Sequence, residues 1–218
     1  MKQTAWVAGA SGLVGRELVK RLATHPAYGR VIALVRAPHP ELADIDGVTL
    51  HQVDFRALRD TLPGGTADHV YSVLGSTKAK TPHPDDFRAI DVLHPLTIAK
   101  TAQAAGASAF AVVSAPGAHA FSRLKYLQLK GELDNRLQAM DFEKLVIAQP
   151  GLLLGERAEK RAGEDWLARQ RWLHALLPKR LRPIPAGTVA AALIAAMTDR
   201  EPGVRVLGNR QLMAHGAS

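Results

Sequence analysis

Three glycines spaced three residues apart constrain this chain more than any other feature. Gly9, Gly12 and Gly15 lie between a short apolar run and an amphipathic stretch, which is the arrangement of a strand, a tight turn and a helix start. Gly9 permits a positive φ, Gly12 lets the backbone approach a phosphate, and Gly15 lets the helix pack closely on the strand. Free N–H groups at the helix start, joined by the Ser11 hydroxyl, then suit a pyrophosphate. We therefore predict dinucleotide binding; a glycine-rich turn without a ligand is the alternative.

Residues at the ends of the following strands indicate which dinucleotide binds. The residue about 20 positions beyond the last glycine faces the adenosine ribose in such folds, where an arginine selects a 2′-phosphate. Arg36 occupies this position and favours NADP(H) over NAD, with a surface arginine at a strand end as the alternative. Asp54, which ends the third strand, fits two roles equally well: acceptor from the adenine amino group, or helix N-cap. Leu74 and Gly75 end the fourth strand and are predicted to border the cofactor.

Strand and helix patterns alternate along the chain. Short apolar runs bounded by turn residues predict strands, and amphipathic stretches between them predict helices. Six rounds of alternation are typical of a doubly wound parallel α/β sheet, the Rossmann fold, in one domain over residues 1–218. Residues 151–218 are predicted to form a short substrate-side extension. The predicted strands are 5–8, 31–35, 48–53, 69–74, 109–113, 144–148 and 204–207, and the later helices are 84–106, 124–137, 166–177 and 189–197.

Composition excludes several classes of protein. The 218 residues include no cysteine, which excludes disulfides, thiolate catalysis and zinc–thiolate sites. The nine histidines lie at isolated positions without metal-ligand spacing, so we assign no metal. No apolar run approaches the ~20 residues of a membrane span, and the first strand follows too directly for a signal peptide. We expect a cytoplasmic protein with no membrane partner.

The net positive charge of the chain is relevant to the kind of partner that it binds. A formal net charge of +8 and a sequence pI of about 10 suit an anionic partner. The densest basic cluster, at residues 179–182, has no interleaved aromatic residues for base stacking. Nucleic acid is therefore a weak candidate, and a small-molecule substrate is the predicted partner.

Three residues carry the candidate chemistry: Ser114, at the end of the fifth strand, and Tyr126 and Lys130 on the helix that follows. The spacing of four puts the phenol and the ammonium on one helix face, about one turn apart. A tyrosine with a pKa near ~10 is a poor acid or base at neutral pH, and a nearby cation brings that pKa toward the working range. Ser114 is expected to hydrogen-bond and orient the substrate oxygen. A packing aromatic beside a solvated amine is the alternative.

These motifs resemble a known family. The glycine loop 9–15, Ser114 and the segment 126–132 (YLQLKGE) look like the atypical short-chain dehydrogenases/reductases. More narrowly, the chain is similar to their Tat-interacting-protein-like, NAD(P)H-binding branch. Segments 150–154, 163–167 and 184–185 also look like that branch, so the resemblance covers nearly the whole chain.

The resemblance implies an NAD(P)H-binding oxidoreductase fold with a Ser-Tyr-Lys arrangement. Tyr126 would be the proton donor in carbonyl reduction, and Lys130 would bind the nicotinamide ribose. A proline-glycine turn would lie beside the nicotinamide, and backbone N–H groups would contact the pyrophosphate. The further cofactor contacts implied in this way are Leu13, Val14, Pro150 and Leu152.

Two features depart from the family pattern. Many short-chain dehydrogenases carry an asparagine on the helix before the serine, but none occurs between Asp85 and Gly106, where Asp91 and His94 are the candidate substitutes. Extended members carry a large C-terminal substrate domain, whereas this chain has a short C-terminal part. Its charged segment 155–163 fits either a lid over the nicotinamide or a solvated loop.

Two functions follow from the sequence. The first is an NADPH-dependent reductase of a small carbonyl or related substrate, with Tyr126 protonating the oxygen. The second is a cofactor-bound regulatory or protein-interaction module with little or no turnover. The helices around 87–105 and 124–140 either pair in a homodimer or cover the sheet of a monomer.

Overall fold

A parallel sheet of seven strands forms the centre of the described chain. The computed structural model describes residues 2–75, 83–155 and 178–215. The strands are β1 Gln3–Ala8, β2 Tyr28–Val35, β3 Val48–Gln52, β4 His69–Ser72, β5 Ala109–Val113, β6 Lys144–Gln149, β7 Leu153–Leu154, β8 Ile184–Pro185 and β9 Gly203–Gly208. The order in the main sheet is β3-β2-β1-β4-β5-β6-β9, and a separate two-stranded sheet joins β7 to β8.

Helices cover both faces of this sheet. Among the described helices, none combines the length and the apolar character that crossing a membrane requires. The helices are α1 Leu13–Thr24, α2 Pro40–Ala43, α3 Leu58–Thr61, α4 Pro84–Arg88, a π turn Ala89–Leu93, α5 His94–Ala104, α6 Lys125–Gln138, a 3-10 turn Lys179–Leu181, α7 Ala186–Thr198 and α8 Asn209–His215.

The predicted doubly wound parallel sheet is confirmed. Each predicted strand is present, although the fourth ends at Ser72 rather than at Leu74. Residues 151–218 contribute more than an extension, because β9 pairs with β6 in the main sheet. The predicted helix 166–177 and most of the segment 155–163 lie outside the described residues. The single-domain division and the substrate-side role of residues 151–218 stay predictions.

Two apolar layers hold the helices onto the sheet. Alternate β1 side chains enter opposite layers: Ala5 and Val7 face one, and Trp6 and Ala8 face the other. Helices α1 and α7 pack on the first layer, and α5 and α6 on the second. Because both faces are covered, a central strand such as β5 (AFAVV) is apolar on both sides rather than alternating.

A proline explains the irregular turn in the long helical segment 84–106. Pro95 lacks an N–H group and its ring would clash with the carbonyl four residues earlier, at Asp91. The chain widens into the π turn Ala89–Leu93 just before it, and α5 starts with Pro95 in its first turn. A proline inside the predicted helix 84–106 is expected to kink or restart it, and the structure has this interruption. The wider turn also holds Asp91 against the neighbouring helix.

The amino edge of the sheet contains a buried polar chain. The Tyr28 hydroxyl lies 2.6 Å from the Tyr71 hydroxyl and 2.7 Å from His69 Nδ1, and Gln3 Nε2 lies 3.0 Å from His69 Nε2. Burial raises the pKa of both tyrosines. Burial, assisted by the charge of Lys144, lowers the pKa of His69 to about 4. A cavity of about 340 Å³ opens beside this chain, at the edge opposite the glycine loop.

The buried His69 predicts a loss of stability in acid. Its pKa of about 4 in the folded protein lies below the ~6.5 of an unfolded chain, so the unfolded chain takes up the proton first. The contribution of His69 is therefore complete above about pH 6.5 and is lost as the pH falls through about 4. It amounts to roughly 3 kcal/mol at most.

Urea unfolding of the wild type and of His69→Gln tests this expectation. The difference in unfolding free energy between the two proteins should shrink or reverse between pH 8 and pH 4, because only the wild type loses the histidine contribution. A difference that stays constant over this range would contradict it.

Candidate cofactor and active site

The glycine loop has the close contacts that its spacing predicts. Gly9 has a φ of +83°, and a Cβ there would lie 2.8 Å from the Val73 carbonyl oxygen. A Cβ on Gly15 would overlap the Gly9 carbonyl, so α1 packs on the turn only because the glycine is bare. The Gly12 N–H donates to the Gly9 carbonyl at 2.9 Å and closes the turn.

The start of α1 presents backbone donors at the carboxyl edge of the sheet. Gly12 is the N-cap, and the first intrahelical bond runs from the Arg16 N–H to the Gly12 carbonyl at 3.0 Å. The N–H groups of Leu13, Val14 and Gly15 therefore precede this bond, the position at which helices bind anions. Ser11 is exposed beside them.

Strand order gathers the predicted adenosine-side residues around this loop. The order reverses between β1 and β4, and the crevice at such a reversal is where open α/β sheets bind ligands. Arg36 follows β2 and is exposed, while Leu74 and Gly75 follow β4 on the other side of β1. Asp54 Oδ1 accepts from the Arg56 N–H at 2.8 Å. This carboxylate thus caps the turn before α3, although it is not the N-cap of α3 itself.

Helix α6 lies beside the α4–π segment, and the two make matched contacts. The Tyr126 ring packs edge-on to the Phe87 ring at 6.2 Å between centroids. Four residues further along both segments, Lys130 Nζ lies 2.7 Å from Asp91 Oδ1. Because both segments run in the same direction, the two contacts lie one helix turn apart and fix the register of α6 against the α4–π segment. Tyr126 is 40% exposed, whereas Lys130 is 2% exposed.

Asp91 and His94, the two candidate substitutes for the family's asparagine, have different surroundings. The Lys130 ammonium also donates to the Val113 carbonyl at 3.3 Å, so two of its three N–H groups have described partners. His94, the other candidate substitute, instead stacks on Phe55 at 4.9 Å. Burial lowers the pKa of His94. Of the two candidates, Asp91 is the residue that meets the lysine.

Ser114 lies deeper than the sequence suggests. The residue is buried, and its hydroxyl donates to Asp134 Oδ2 at 2.8 Å. Burial raises the pKa of the Asp134 carboxyl, against the opposing effects of Ser114, Lys130 and Gln149. In this arrangement the Ser114 hydroxyl is bonded to Asp134. The substrate-orienting role expected for Ser114 stays a prediction.

Sequence reasoning missed Asp134. It lies four residues after Lys130, so Tyr126, Lys130 and Asp134 repeat at the spacing of one helix face. That spacing was the available signal.

A loop crosses α6 next to the lysine. A Cβ on Gly131 would overlap the backbone of His119 and Ala120, so this glycine admits the loop. The His119 N–H donates to the Leu127 carbonyl at 3.1 Å and fixes the crossing. Further along the loop, Phe121 is 88% exposed and Leu124 is 66% exposed. The loop thus presents apolar side chains near the Tyr126 face.

The turn at Pro150, Gly151 and Leu152 is held by a buried asparagine. Asn209 Oδ1 accepts from the Gly151 N–H at 2.8 Å, and Asn209 Nδ2 donates to the Arg182 carbonyl at 2.9 Å. The Leu152 carbonyl accepts from the Ile184 N–H at 2.8 Å. The three turn residues continue from β6 at the carboxyl edge. No sequence signal marked Asn209, because its partners are distant along the chain.

In the part of the chain that the structure describes, no group of three histidine, aspartate or glutamate side chains has the geometry of a metal site.

Comparisons with known proteins identify the family of this chain. The sequence model of a family described as NAD(P)H-binding matches residues 9–200, and the chain belongs to that family. The chain is 32% identical to Protein FMP52, mitochondrial, of Eremothecium gossypii over 219 residues, 96% of each chain. It is 30% identical to Protein HTATIP2 of Rattus norvegicus over 220 residues, 98% of this chain and 89% of that one. The resemblance to atypical short-chain dehydrogenases/reductases is confirmed by these relatives.

Solved structures show the same fold at low sequence identity. A UDP-N-acetylglucosamine 4-epimerase from Methanobrevibacter ruminantium superposes with a TM-score of 0.71 at 14% identity, over 98% of this chain and 81% of that one. MoeE5 in complex with UDP-glucose and NAD gives a TM-score of 0.67 at 16% identity, over 98% and 81%. These neighbours establish the Rossmann-like fold.

The expected cytoplasmic location is wrong by comparison with the relatives. Several FMP52 proteins that match this chain are named mitochondrial. The cytoplasmic location was inferred from the lack of a secretory signal peptide and of a membrane span in the sequence. Neither feature distinguishes the cytoplasm from the mitochondrion.

The close contact between Gly131 and the loop predicts that adding one methyl group at this position destabilises the protein. Gly131→Ala places a Cβ against rigid backbone atoms, and we expect it to lower the free energy of unfolding by about 1–3 kcal/mol. Gly64→Ala is the matched control, since a Cβ there meets no described atom within 4 Å. Chemical denaturation of both variants measures the effect, and equal stabilities would refute the tight crossing.

Proposed function

We propose that the protein is an NADPH-dependent oxidoreductase of the short-chain dehydrogenase type, acting on a small carbonyl or related substrate. The observation that carries the proposal is the arrangement on α6. A partly exposed Tyr126 precedes a buried Lys130 by one turn, on a helix held in register by Asp91. Such an arrangement suits proton transfer to a substrate oxygen.

The residues of the carboxyl edge fit a dinucleotide. The bare backbone at Gly9, Gly12 and Gly15 leaves a concave turn beside the first N–H groups of α1, which suits a pyrophosphate. Leu13 and Val14 would supply backbone donors there, and Ser11 a hydroxyl. We assign the remaining contacts to Arg36 at the adenosine phosphate, Asp54 near the adenine, Leu74 and Gly75 along the crevice, and Pro150 and Leu152 at the nicotinamide end.

Tyr126 is the proposed proton donor. When bound, the reduced nicotinamide supplies the hydride for the carbonyl carbon, and the carbonyl oxygen then needs a proton. Tyr126 would give its phenolic proton to that oxygen, since it is the exposed acid on this face of α6. The third N–H group of Lys130 would hold the nicotinamide ribose.

We assign a positioning role to Ser114. Its hydroxyl joins the end of β5 to Asp134 on α6, and Gln149 from β6 meets the same carboxyl group. This buried junction would hold α6 against the strand ends, so that Tyr126 faces the crevice.

Replacing the phenol tests the proposed chemistry. Tyr126→Phe should lower NADPH-dependent reduction by about 100-fold or more, because the only group lost is the proton donor. Consumption of NADPH with a panel of small aldehydes and ketones measures the rate, and the affinity of the variant for NADPH is the control. Undiminished turnover would rule out the role of Tyr126.

Arg36 should determine the choice of cofactor. Arg36→Ser is expected to weaken NADPH binding by about tenfold or more and to leave NADH binding unchanged, because only NADPH carries the 2′-phosphate. Arg30→Ser is the matched control, since Arg30 is exposed near the amino end of β2, the strand that Arg36 follows. Calorimetric titration gives both affinities. Equal losses for the two cofactors, or an equal effect of the control, would contradict the assignment.

A second candidate function is a cofactor-bound protein-interaction module. The exposed Phe121 and Leu124 favour it, because large apolar side chains near a site often mark a contact surface. This function predicts tight NADPH binding, no turnover across the substrate panel, and a partner whose affinity changes with the redox state of the cofactor. Turnover that depends on Tyr126 would favour the oxidoreductase over the protein-interaction module.

A further inference from the structure

The loop between β5 and α6 is held in shape by its own hydrogen bonds. The Phe121 N–H donates to His119 Nδ1 at 3.3 Å, and the Leu124 N–H donates to Ser122 Oγ at 3.2 Å. The Ser122 N–H donates to the His119 carbonyl at 2.9 Å. Residues 119–125, which we call the loop tip, therefore have a defined conformation, and the backbone holds the side chains that they expose.

The loop tip exposes two large apolar side chains. Phe121 is 88% exposed and Leu124 is 66% exposed, the two highest values among the large apolar side chains of the described residues. They lie three positions apart, and covering them would remove apolar surface from water. Apolar side chains clustered at a surface commonly mark an interaction site. The loop tip is therefore a surface that is stabilised when it is covered.

Exposed cations alternate with these apolar side chains. Arg123 and Lys125 are both exposed, one on each side of Leu124 in the sequence. Lys125 Nζ donates to the uncharged Gln128 amide oxygen at 3.2 Å, and Arg123 makes no ion pair with any described residue. The sequence contains no aspartate or glutamate between residues 115 and 131. The loop tip thus joins two cations, uncompensated by its own acids, to its apolar surface.

Acids on the neighbouring elements do not pair with these cations. Glu132, the next acid along α6, pairs with both Arg88 and Arg136. Asp85 and Asp86 begin α4, and among the described residues neither forms an ion pair with the loop tip. The two cations of the loop tip are therefore available to an anionic surface.

A similar pattern on β9 shows what distinguishes the loop tip. Val204 and Val206 are 48% and 45% exposed, on either side of Arg205. Arg205, however, pairs with Asp199 at 2.6 Å and with Glu201 at 3.1 Å, so its charge is compensated. The β9 residues therefore present apolar surface without uncompensated cations.

We propose that the loop tip binds the surface of an anionic lipid bilayer. Phe121 and Leu124 would enter the boundary between headgroups and acyl chains, and Arg123 and Lys125 would lie at the level of the lipid phosphates. A bilayer surface offers apolar and anionic surroundings side by side, and the net charge of +8 adds a long-range attraction to it. A nucleic acid would stack on Phe121 but would leave Leu124 without a role.

This mode of binding needs no helix that crosses the membrane. The expectation of no membrane partner considered only membrane spans and signal peptides in the sequence, and a bilayer-binding loop uses neither. The inference is also independent of the proposed function, because it concerns residues that carry no part of the proposed chemistry.

Sedimentation with lipid vesicles tests the inference on the whole protein. We expect the wild type to bind vesicles of about 70% phosphatidylcholine and about 30% phosphatidylserine. Vesicles of phosphatidylcholine alone should bind it about tenfold or more weakly, because the two cations then lack anionic lipids. Binding to the mixed vesicles should also weaken as the salt concentration rises. Failure to bind the mixed vesicles at low salt would overturn the inference.

Paired substitutions test whether the loop tip is the binding surface. Phe121→Ser with Leu124→Ser should weaken binding to the mixed vesicles by about tenfold or more, because less apolar surface enters the bilayer. Arg123→Gln with Lys125→Gln should weaken it by about tenfold or more, because the attraction to anionic lipid is lost. All four side chains are exposed, so both variants should keep the circular dichroism spectrum and the unfolding midpoint of the wild type.

Two control variants match these changes elsewhere on the surface. Val204→Ser with Val206→Ser removes exposed apolar surface from β9, and Lys20→Gln with Arg30→Gln removes two exposed cations outside the loop tip. Each control should weaken vesicle binding much less than its counterpart in the loop tip. A control that weakens binding as much as its counterpart would overturn the assignment to the loop tip.

The same variants identify any other occupant of the loop tip. Sedimentation velocity reports association with a second copy of the chain, and the anisotropy of a labelled single-stranded oligonucleotide reports nucleic-acid binding. Either activity, if it depends on Phe121 and Leu124 and occurs without vesicle binding, would overturn the inference.

None of these measurements uses NADPH or a carbonyl, so their outcome is separate from that of the proposed function. Protein that binds the mixed vesicles through the loop tip but consumes no NADPH with any carbonyl would retain the inference and lose the oxidoreductase proposal. Protein that reduces carbonyls through Tyr126 but does not bind the vesicles would do the reverse.

Discussion

The approach of α1 to the turn after β1 is the contact on which the rest of the structure depends. Gly15 lies directly over the Gly9 carbonyl, and no residue with a Cβ fits at that position. This contact fixes the start of α1 at the reversal of strand order, between β1 and β4. The backbone donors, Arg36 and the Leu74–Gly75 segment then face one crevice, because their strands are neighbours of β1.

On the opposite side of that crevice, buried charged groups hold α6 in place. Lys130 pairs with Asp91, and Asp134 bonds with Ser114, so that polar contacts join α6 to the π turn and to the end of β5. A buried pair of this kind contributes little net stability but is costly to break. The main effect of the Asp91–Lys130 pair is therefore to fix the position of α6. In the proposed enzyme it keeps one exposed phenol facing the crevice.

The sheet and the glycine loop could be predicted from the sequence because they depend on local patterns. Apolar runs of strand length, a turn that needs a positive φ at Gly9, and a proline at position 95 each act within a few residues. The hydrogen-bond partners of the site side chains were harder to predict than the sheet and the loop. Ser114 was expected to face the substrate, yet it meets Asp134 across a packed helix, and Asn209 holds the Gly151 turn from far along the chain. Such contacts follow from tertiary packing, which periodicity does not determine.

A crystal structure of the protein with bound NADPH would show whether the dinucleotide occupies this crevice. We expect the pyrophosphate against the N–H groups of the 9–15 loop, the adenosine phosphate beside Arg36, and the nicotinamide within reach of the Tyr126 hydroxyl. A dinucleotide found elsewhere, such as the cavity beside His69 and Lys144, would contradict it. So would a nicotinamide ring that points away from Tyr126.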